Sequence, residues 1–419
     1  MRVTVLGAGV VGVTSAWYLA AAGHEVTVIE RQPGPALETS YANGGQISVS
    51  HAEPWANPAA WRQILRWLGR EDAPLLWRLR ADPAQWLWGL RFLRECSPSR
   101  TRANIAAIVR LGLSSREALR ALRRELALDY DQLERGILHF YTDPRAFEHA
   151  VQQAAVMREF GCERVPLATA ECLATEPALA ASTLPIVGGT YTATDESGDA
   201  RRFTEVLAQR AAARGVRFRY GESVRALERE NGRLARVRLA SGEVLAPELT
   251  VLALGSYAPL LLRPLGVRLP VYPAKGYSAT LTLPAGLAAA APTVSLTDDE
   301  ARLVFSRLGE RLRVAGTAEF IGYDLELNPA RCDALMRRTR ALFPALANVR
   351  QIDFWSGLRP ATPSNVPLIC GLREAGLAGL WLNAGHGTLG WTLACGSAQL
   401  LAEQIAGRDA GIDPAPYHL

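Results

Sequence analysis

Lysine is almost missing from this chain. Of its 46 basic residues only Lys275 is a lysine and the rest are arginine, a bias that reads as genome composition more than chemistry. The net charge of +5 is mild, so the dense basic field of a nucleic-acid binder is excluded. Six cysteines (Cys96, Cys162, Cys172, Cys332, Cys370, Cys395) form no C-x-x-C pair and no regular spacing. No basic n-region precedes an apolar export core, so they read as reduced thiols and a cytoplasmic location is expected. The six histidines show no H-x-x-x-H spacing, and no metal site is expected. No uninterrupted apolar run of about 18 residues occurs, which excludes a membrane-spanning helix. Internal repeats and low-complexity linkers are also lacking.

What is present is ordinary globular composition, 49% apolar and 21% charged, in a chain of 419 residues, long enough for two domains. Residues 3–30 (VTVLGAGVVGVTSAWYLAAAGHEVTVIE) carry the clearest pattern. A short apolar run reads as a buried parallel strand. Gly7, Gly9 and Gly12 follow at G-x-G-x-x-G spacing, then a helical pattern, a second strand and Glu30 at its end. Gly7 permits a tight turn, Gly9 a close approach of backbone to a pyrophosphate, and Gly12 close helix–strand packing. The helix N-terminus offers free N–H groups to phosphate, and an acid about 20 residues on suits a ribose hydroxyl. Three glycines alone would be weak, but the ordered set predicts a dinucleotide site.

The next run, RQPGPALETSYANGGQIS, is polar and Gly-rich, and reads as a loop. Ser40, Asn43, Gly44 and Gly45 either contact the cofactor or belong to a surface loop. Residues 55–94 hold six of the ten tryptophans (Trp55, Trp61, Trp67, Trp77, Trp86, Trp88) and a series of arginines. Trp61, Ile64, Leu65 and Leu68 fall on one helical face, with Arg62, Arg66 and Arg70 elsewhere. That pattern suits either a membrane interface or tryptophans packed into a domain core.

Apolar spacing predicts helices over 102–128, 145–160, 203–214 and 331–342, and a terminal helix ending at 406. Strands are predicted over 136–141, 187–191, 215–220, 223–230, 233–240, 244–247 and 249–254. Residues 293–317 read as an antiparallel meander, and 349–358 as a strand leading into Arg359-Pro360. The apolar strand closed by Gly255 looks like a second nucleotide-domain segment, which makes that domain discontinuous. Residues 385–390 (Gly385, His386, Gly387, Thr388, Leu389, Gly390) form another glycine turn opening a helix. Its amides suit a ring that gains negative charge on reduction, although a plain turn before a helix has the same composition.

The glycine turn with its following loop, YPAKGYS, GLRPATPSNVPLI and NAGHGTLGW together resemble the FAD-dependent D-amino acid oxidase superfamily, over nearly the whole chain and in the right order. The resemblance implies an α/β fold: a doubly wound, Rossmann-like FAD domain interleaved with a β-sheet-plus-helices substrate domain. The expected limits are 1–50, 192–262 and 351–419 for the FAD domain, and 51–191 and 263–350 for the substrate domain. It also implies non-covalent FAD, oxidative deamination of D-amino acids to 2-oxo acids and ammonia, and electrons passed to a membrane quinone. Residues 55–94 would then be a peripheral membrane contact.

Arg359, in G-x-R-P, is expected to grip the substrate carboxylate, since its planar fork matches two parallel hydrogen bonds. Tyr277 is expected to lend a hydroxyl to the same group or to be a core tyrosine. Lys275, His51 and Tyr323 are further pocket candidates. Expected cofactor contacts, besides the glycines and Arg359, are Ala8, Val10, Val11, Glu30, Arg31, Ser40 and Asn43. Gln46, Ile47, Val224 and Gly255 complete that expectation. Two other readings stand beside this one: an oxygen-using oxidase or secondary-amine (glycine, sarcosine or D-proline derivative) dehydrogenase, and a non-catalytic dinucleotide-binding module. Against a sarcosine-oxidase type, GLRPATPSN offers no cysteine for a covalent flavin.

Overall fold

The computed structural model describes residues 1–61, 64 and 74–419. The expectations on Arg62, Leu65, Arg66, Trp67, Leu68 and Arg70 lie outside the described residues. Arg2–Leu6 and Glu25–Glu30 pair in parallel around the helix Val10–Ala21, as the 3–30 pattern requires. Leu249–Leu252 pairs in parallel with Arg2–Leu6 on its other side, followed by Leu380–Ala384, while Arg217–Tyr220 extends the sheet beyond Glu25–Glu30. The antiparallel strand Leu368–Gly371 closes the edge of this six-stranded sheet. The central strands are apolar on both faces because both faces are covered. One face carries Val10–Ala21, Ala200–Ala213 and Gly390–Ile405, and the other an antiparallel three-stranded sheet of residues 224–245.

The second body is a nine-stranded mixed sheet. Tyr272–Thr282, Arg311–Phe320 and Leu303–Leu308 form its antiparallel centre, and the helix Pro329–Leu342 buries Leu335, Met336 and Leu342 against it. Asn328 caps that helix, its side-chain oxygen accepting from the Ala330 N–H at 3.0 Å.

Two segments sit elsewhere than the expected limits place them. Ile352–Ala361 pairs along its length with Tyr272–Thr282, so it is a strand of the larger sheet and not of the nucleotide domain. Its burial pattern does not distinguish the two sheets; only the partner does. Pro98–Leu126, expected with the substrate domain, packs on Gly390–Ile405 and joins the nucleotide-domain core through Ile105, Ile108, Leu111 and Leu119. The Ser115 hydroxyl donates to the Thr392 carbonyl at 2.6 Å and accepts from the Gly396 N–H at 3.0 Å. The approach is close because a Cβ on Gly396 would meet Ser115 at 2.8 Å.

The tryptophan-rich stretch divides. Trp88 joins Phe92, Tyr272 and Phe320 in a buried cluster against which Trp55 and Trp77 pack. On the helix Pro83–Glu95 the other side is open: Trp86, Leu87, Leu90 and Leu93 are exposed, as is Leu79 before it. No helix among the described residues is long and apolar enough to cross a membrane.

Candidate active site

A cavity of about 1210 Å³ runs between the two sheets and is lined from both. At the nucleotide end it is built from backbone. Gly7 has φ +103°, and a Cβ there would stand 2.7 Å from the Ala253 carbonyl oxygen. A Cβ on Gly12 would fall 1.9 Å from the Gly7 carbonyl oxygen, so only glycine lets the first helical turn close on the strand. A Cβ on Gly9 would meet only the Ser40 hydroxyl, at 3.4 Å, which leaves that surface open to the cavity. The Val10 N–H donates to the Ser40 hydroxyl at 3.0 Å. Glu30 lines the cavity at its strand end, accepting from the Ala8 and Gln32 N–H groups at 2.7 and 2.8 Å. Burial nevertheless raises its carboxyl above the usual range.

The loop after Glu30 lies along the cavity, with Arg31, Ser40, Asn43, Gly44, Gly45 and Gln46 all on its wall. Arg31 pairs with Glu38 and stacks its guanidinium 4.0 Å over the Tyr257 ring. Gly44 is glycine for packing: a Cβ would meet Val304 at 2.5 Å. The Gln46 amide donates to Ser295, Leu296 and Thr297 of the larger sheet, which fastens the loop to it.

The residues of the second glycine turn meet the same cavity. His386, Gly387, Thr388, Leu389 and Gly390 line it, and the helix Gly390–Ile405 starts there. His386 Nε2 bonds the Ser397 hydroxyl at 2.9 Å, and burial drives its imidazole down to about 3, so the ring is neutral. The Gly387 N–H donates to the Pro360 carbonyl at 2.9 Å, which ties the turn to the strand carrying Arg359.

Arg359 lines the cavity beside Gly276, where any Cβ would fall 2.4 Å from the guanidinium carbon. Its Nη1 donates to the Thr317 carbonyl at 2.6 Å and its Nη2 to the Gly316 carbonyl at 3.3 Å. Among the described residues no carboxylate pairs with it. Burial lowers its pKa to about 10, which still leaves it charged at neutral pH. A buried cation held by two carbonyls and facing a cavity can accept an anion there.

The other expected residues divide. Tyr277 lines the cavity, but its hydroxyl donates to Glu319 at 2.6 Å, so that proton is engaged. His51 lines it too, its ring stacked 5.6 Å from His139. Val224 and Gly255 are on the wall. Lys275 and Tyr323 are not on it: Lys275 is buried with its Nζ 3.4 Å from Asp324, and the Tyr323 hydroxyl donates to the Ser256 carbonyl at 2.9 Å. Ala8, Gly12, Ile47 and Gly385 stand behind the wall, supporting it. Sequence reasoning missed Glu53, Arg164, Asp299 and Arg302, which also line the cavity. The polar run 297–300 carries Asp299, and no local pattern marks Glu53 or Arg164.

The family profile described as FAD dependent oxidoreductase matches residues 2–404, and the chain belongs to that family. FAD is its cofactor, and the open cradle at Gly9, the Val10 amide and the Glu30 carboxylate fit it. A D-amino acid dehydrogenase of Dechloromonas aromatica is 63% identical over 97% of both chains. One of Paramagnetospirillum magneticum is 53% identical over 98% of this chain and 96% of that one. Among solved structures, glycine oxidase from Geobacillus kaustophilus has a TM-score of 0.78 at 21% identity, covering 100% of this chain and 98% of that one. The L-proline dehydrogenase of P. horikoshii has a TM-score of 0.75 at 18% identity, covering 98% and 94%. These two share the fold.

Proposed function

We propose that this flavoenzyme oxidatively deaminates D-amino acids, with Arg359 as the group that fixes the substrate. The carrying observation is its charged fork, facing the cavity and bonded, among the described residues, only to the Gly316 and Thr317 carbonyls. Those carbonyls hold the guanidinium in one plane, so that a carboxylate can take two parallel bonds. FAD, when bound, supplies the acceptor for the hydride that leaves Cα. The protein's part is orientation, which removes much of the barrier once the reacting atoms are held near contact. The start of the helix Gly390–Ile405 at the cavity would favour negative charge that accumulates there during reduction. Neutral His386 adds no competing charge, and its contact with Ser397 holds the turn. The imine product hydrolyses in water to the 2-oxo acid and ammonia.

We further propose that the electrons pass to a quinone, with the open face of Pro83–Glu95 resting on the membrane. Trp86, Leu87, Leu90 and Leu93 are exposed there beside exposed Arg91 and Arg94, the apolar and basic pair that suits an anionic bilayer surface. An anaerobic screen of D-amino acids tests the reaction: bleaching of the flavin is expected with D- and not L-isomers. Reoxidation by quinone analogues faster than by oxygen is expected next. Sedimentation with anionic vesicles tests the surface, and protein left wholly in the supernatant removes it.

A further inference from the structure

One wall of the cavity is polar, and His51, Glu53, Arg164, Asp299, Glu300 and Arg302 line it. Two of its three carboxylates are fully engaged. Asp299 accepts from His139 Nδ1 at 2.9 Å and the Tyr141 hydroxyl at 2.8 Å, with Arg164 at 3.7 Å and Arg302 at 3.8 Å. Glu300 accepts from the Thr142 and Asp143 N–H groups at 2.7 and 2.8 Å and faces Arg338 at 3.9 Å. Glu53 has no hydrogen bond and no ion pair among the described residues. With His51 and His139 kept neutral by burial, three carboxylates meet two guanidiniums on this wall. Burial raises the Glu53 carboxyl above its usual range, an effect that Arg302 and Arg164 oppose, and among the described residues it is the one of the three with no hydrogen bond or ion pair of its own.

Glu53 is also held in place. On one side Ser48, Val49 and Ser50 are tied to buried Asp195, through hydroxyls at 2.9 and 2.6 Å and amides at 3.1 and 3.2 Å. On the other the Trp55 N–H donates to Asn365 Oδ1 at 3.0 Å. The wall joins the carboxylate fork through one rung of backbone. Thr317 offers its carbonyl to Arg359 at 2.6 Å, and its N–H donates to the Arg302 carbonyl at 3.2 Å. The same cavity also has an aromatic lining, from Trp55, two residues after Glu53, and from Trp77, Trp88 and Phe320 clustered with it.

We propose that Glu53 is the distal subsite for D-amino acids whose side chain ends in a cationic nitrogen, an ammonium or a guanidinium. The inference rests on the D-amino acid reading above. An aromatic lining and an unpaired carboxylate in one cavity match an alkyl stem with a charged tip. Such a substrate uses Arg359 at its carboxylate and Glu53 at its far end. Short apolar substrates such as D-alanine use only the first.

The test compares kcat/KM for D-lysine and D-alanine in the holoenzyme and in Glu53→Gln, after confirming equal FAD content by absorbance. The wild type is expected to turn over both, and the D-lysine to D-alanine ratio to fall ten- to hundredfold in Glu53→Gln. Glu53→Lys provides a second variant, expected to shift preference towards D-glutamate. A ratio unmoved by either substitution, or a wild type that oxidises D-alanine but refuses D-lysine and D-arginine, overturns the subsite and leaves the reaction standing. Failure of every D-amino acid to bleach the flavin overturns the reaction itself, and the subsite with it.

Discussion

The two ends of the cavity are made of different material. At the Gly7–Gly12 end the wall is main chain, and what distinguishes it is missing side chains: an open surface at Gly9 and a Cβ on Gly12 that would lie 1.9 Å from a carbonyl oxygen. At the Arg359 end the wall is side chain, on strands whose neighbours come from remote parts of the chain. A backbone site binds what every dinucleotide shares. A side-chain site selects one substrate class, because an unmatched polar group there is left buried and unpaired. Damage to the first end should therefore remove the cofactor, and damage to the second should leave it in place while removing turnover.

The sharpest way to break that contrast is Gly12→Val. The branched side chain has to displace the Gly7 carbonyl, which closes the turn, so the purified variant is expected to lack the flavin spectrum and all activity. A yellow, active variant would mean the turn yields where the geometry says it cannot. Arg359→Ala should do the reverse. FAD remains at wild-type stoichiometry, while kcat/KM for D-alanine falls about 10²- to 10³-fold, the size expected when one member of a buried ion pair is removed. Arg359→Lys should recover only part of this, because a point charge cannot present two parallel bonds. Kinetics unchanged in Arg359→Ala would end the assignment.

The same contrast explains what could be read in advance. Strand, glycines, helix, strand and Glu30 are contiguous, so local spacing predicts the strand–helix–strand unit that forms this end of the cavity. Pairing partners are not local. The strand-like run at 349–358 does not show that its partner is Tyr272–Thr282, and so the segment is expected in the other sheet. The helix Pro98–Leu126 likewise shows an apolar stripe without showing that Ser115 meets Gly396. Within the site, Arg359 was legible because G-x-R-P is a local motif. Asp299 and Glu53 were not, since each is one acid among 41, and only the fold brings them to one wall. Lys275, a pocket candidate by its place in YPAKGYS, lies behind the wall with its Nζ 3.4 Å from Asp324.

A weaker effect is expected at Tyr277. Its hydroxyl donates to Glu319, which also takes Arg78 at 3.0 Å, so it positions the wall and does not present a free donor to substrate. Tyr277→Phe should lower kcat/KM less than about tenfold, well short of Arg359→Ala, by loosening a charge-assisted bond of roughly 1.5–3 kcal/mol. A loss as large as that of Arg359→Ala would show that the hydroxyl reaches substrate directly.

A last effect, on stability and not on turnover, separates the ends by acid. His386 is 3% exposed and its folded pKa lies near 3, against about 6.5 for a free imidazole. The folded state therefore resists a proton that the unfolded chain accepts below pH 6.5. The stabilisation is fully present above that pH and is lost as pH falls towards 3, at no more than about 1.4 kcal/mol per unit for this one group. His51, lowered to about 4 by burial, acts in the same direction. Between pH 7.5 and 5 the urea midpoint of the wild type should fall, by an amount equivalent to about 2 kcal/mol from His386 alone. His386→Asn keeps a polar partner for Ser397 but cannot titrate, so its midpoint should fall less over the same interval. An equal fall in both proteins would show that His386 is not the acid-sensitive group, and that the turn at 385–390 is no more pH-dependent than the glycine turn at the other end.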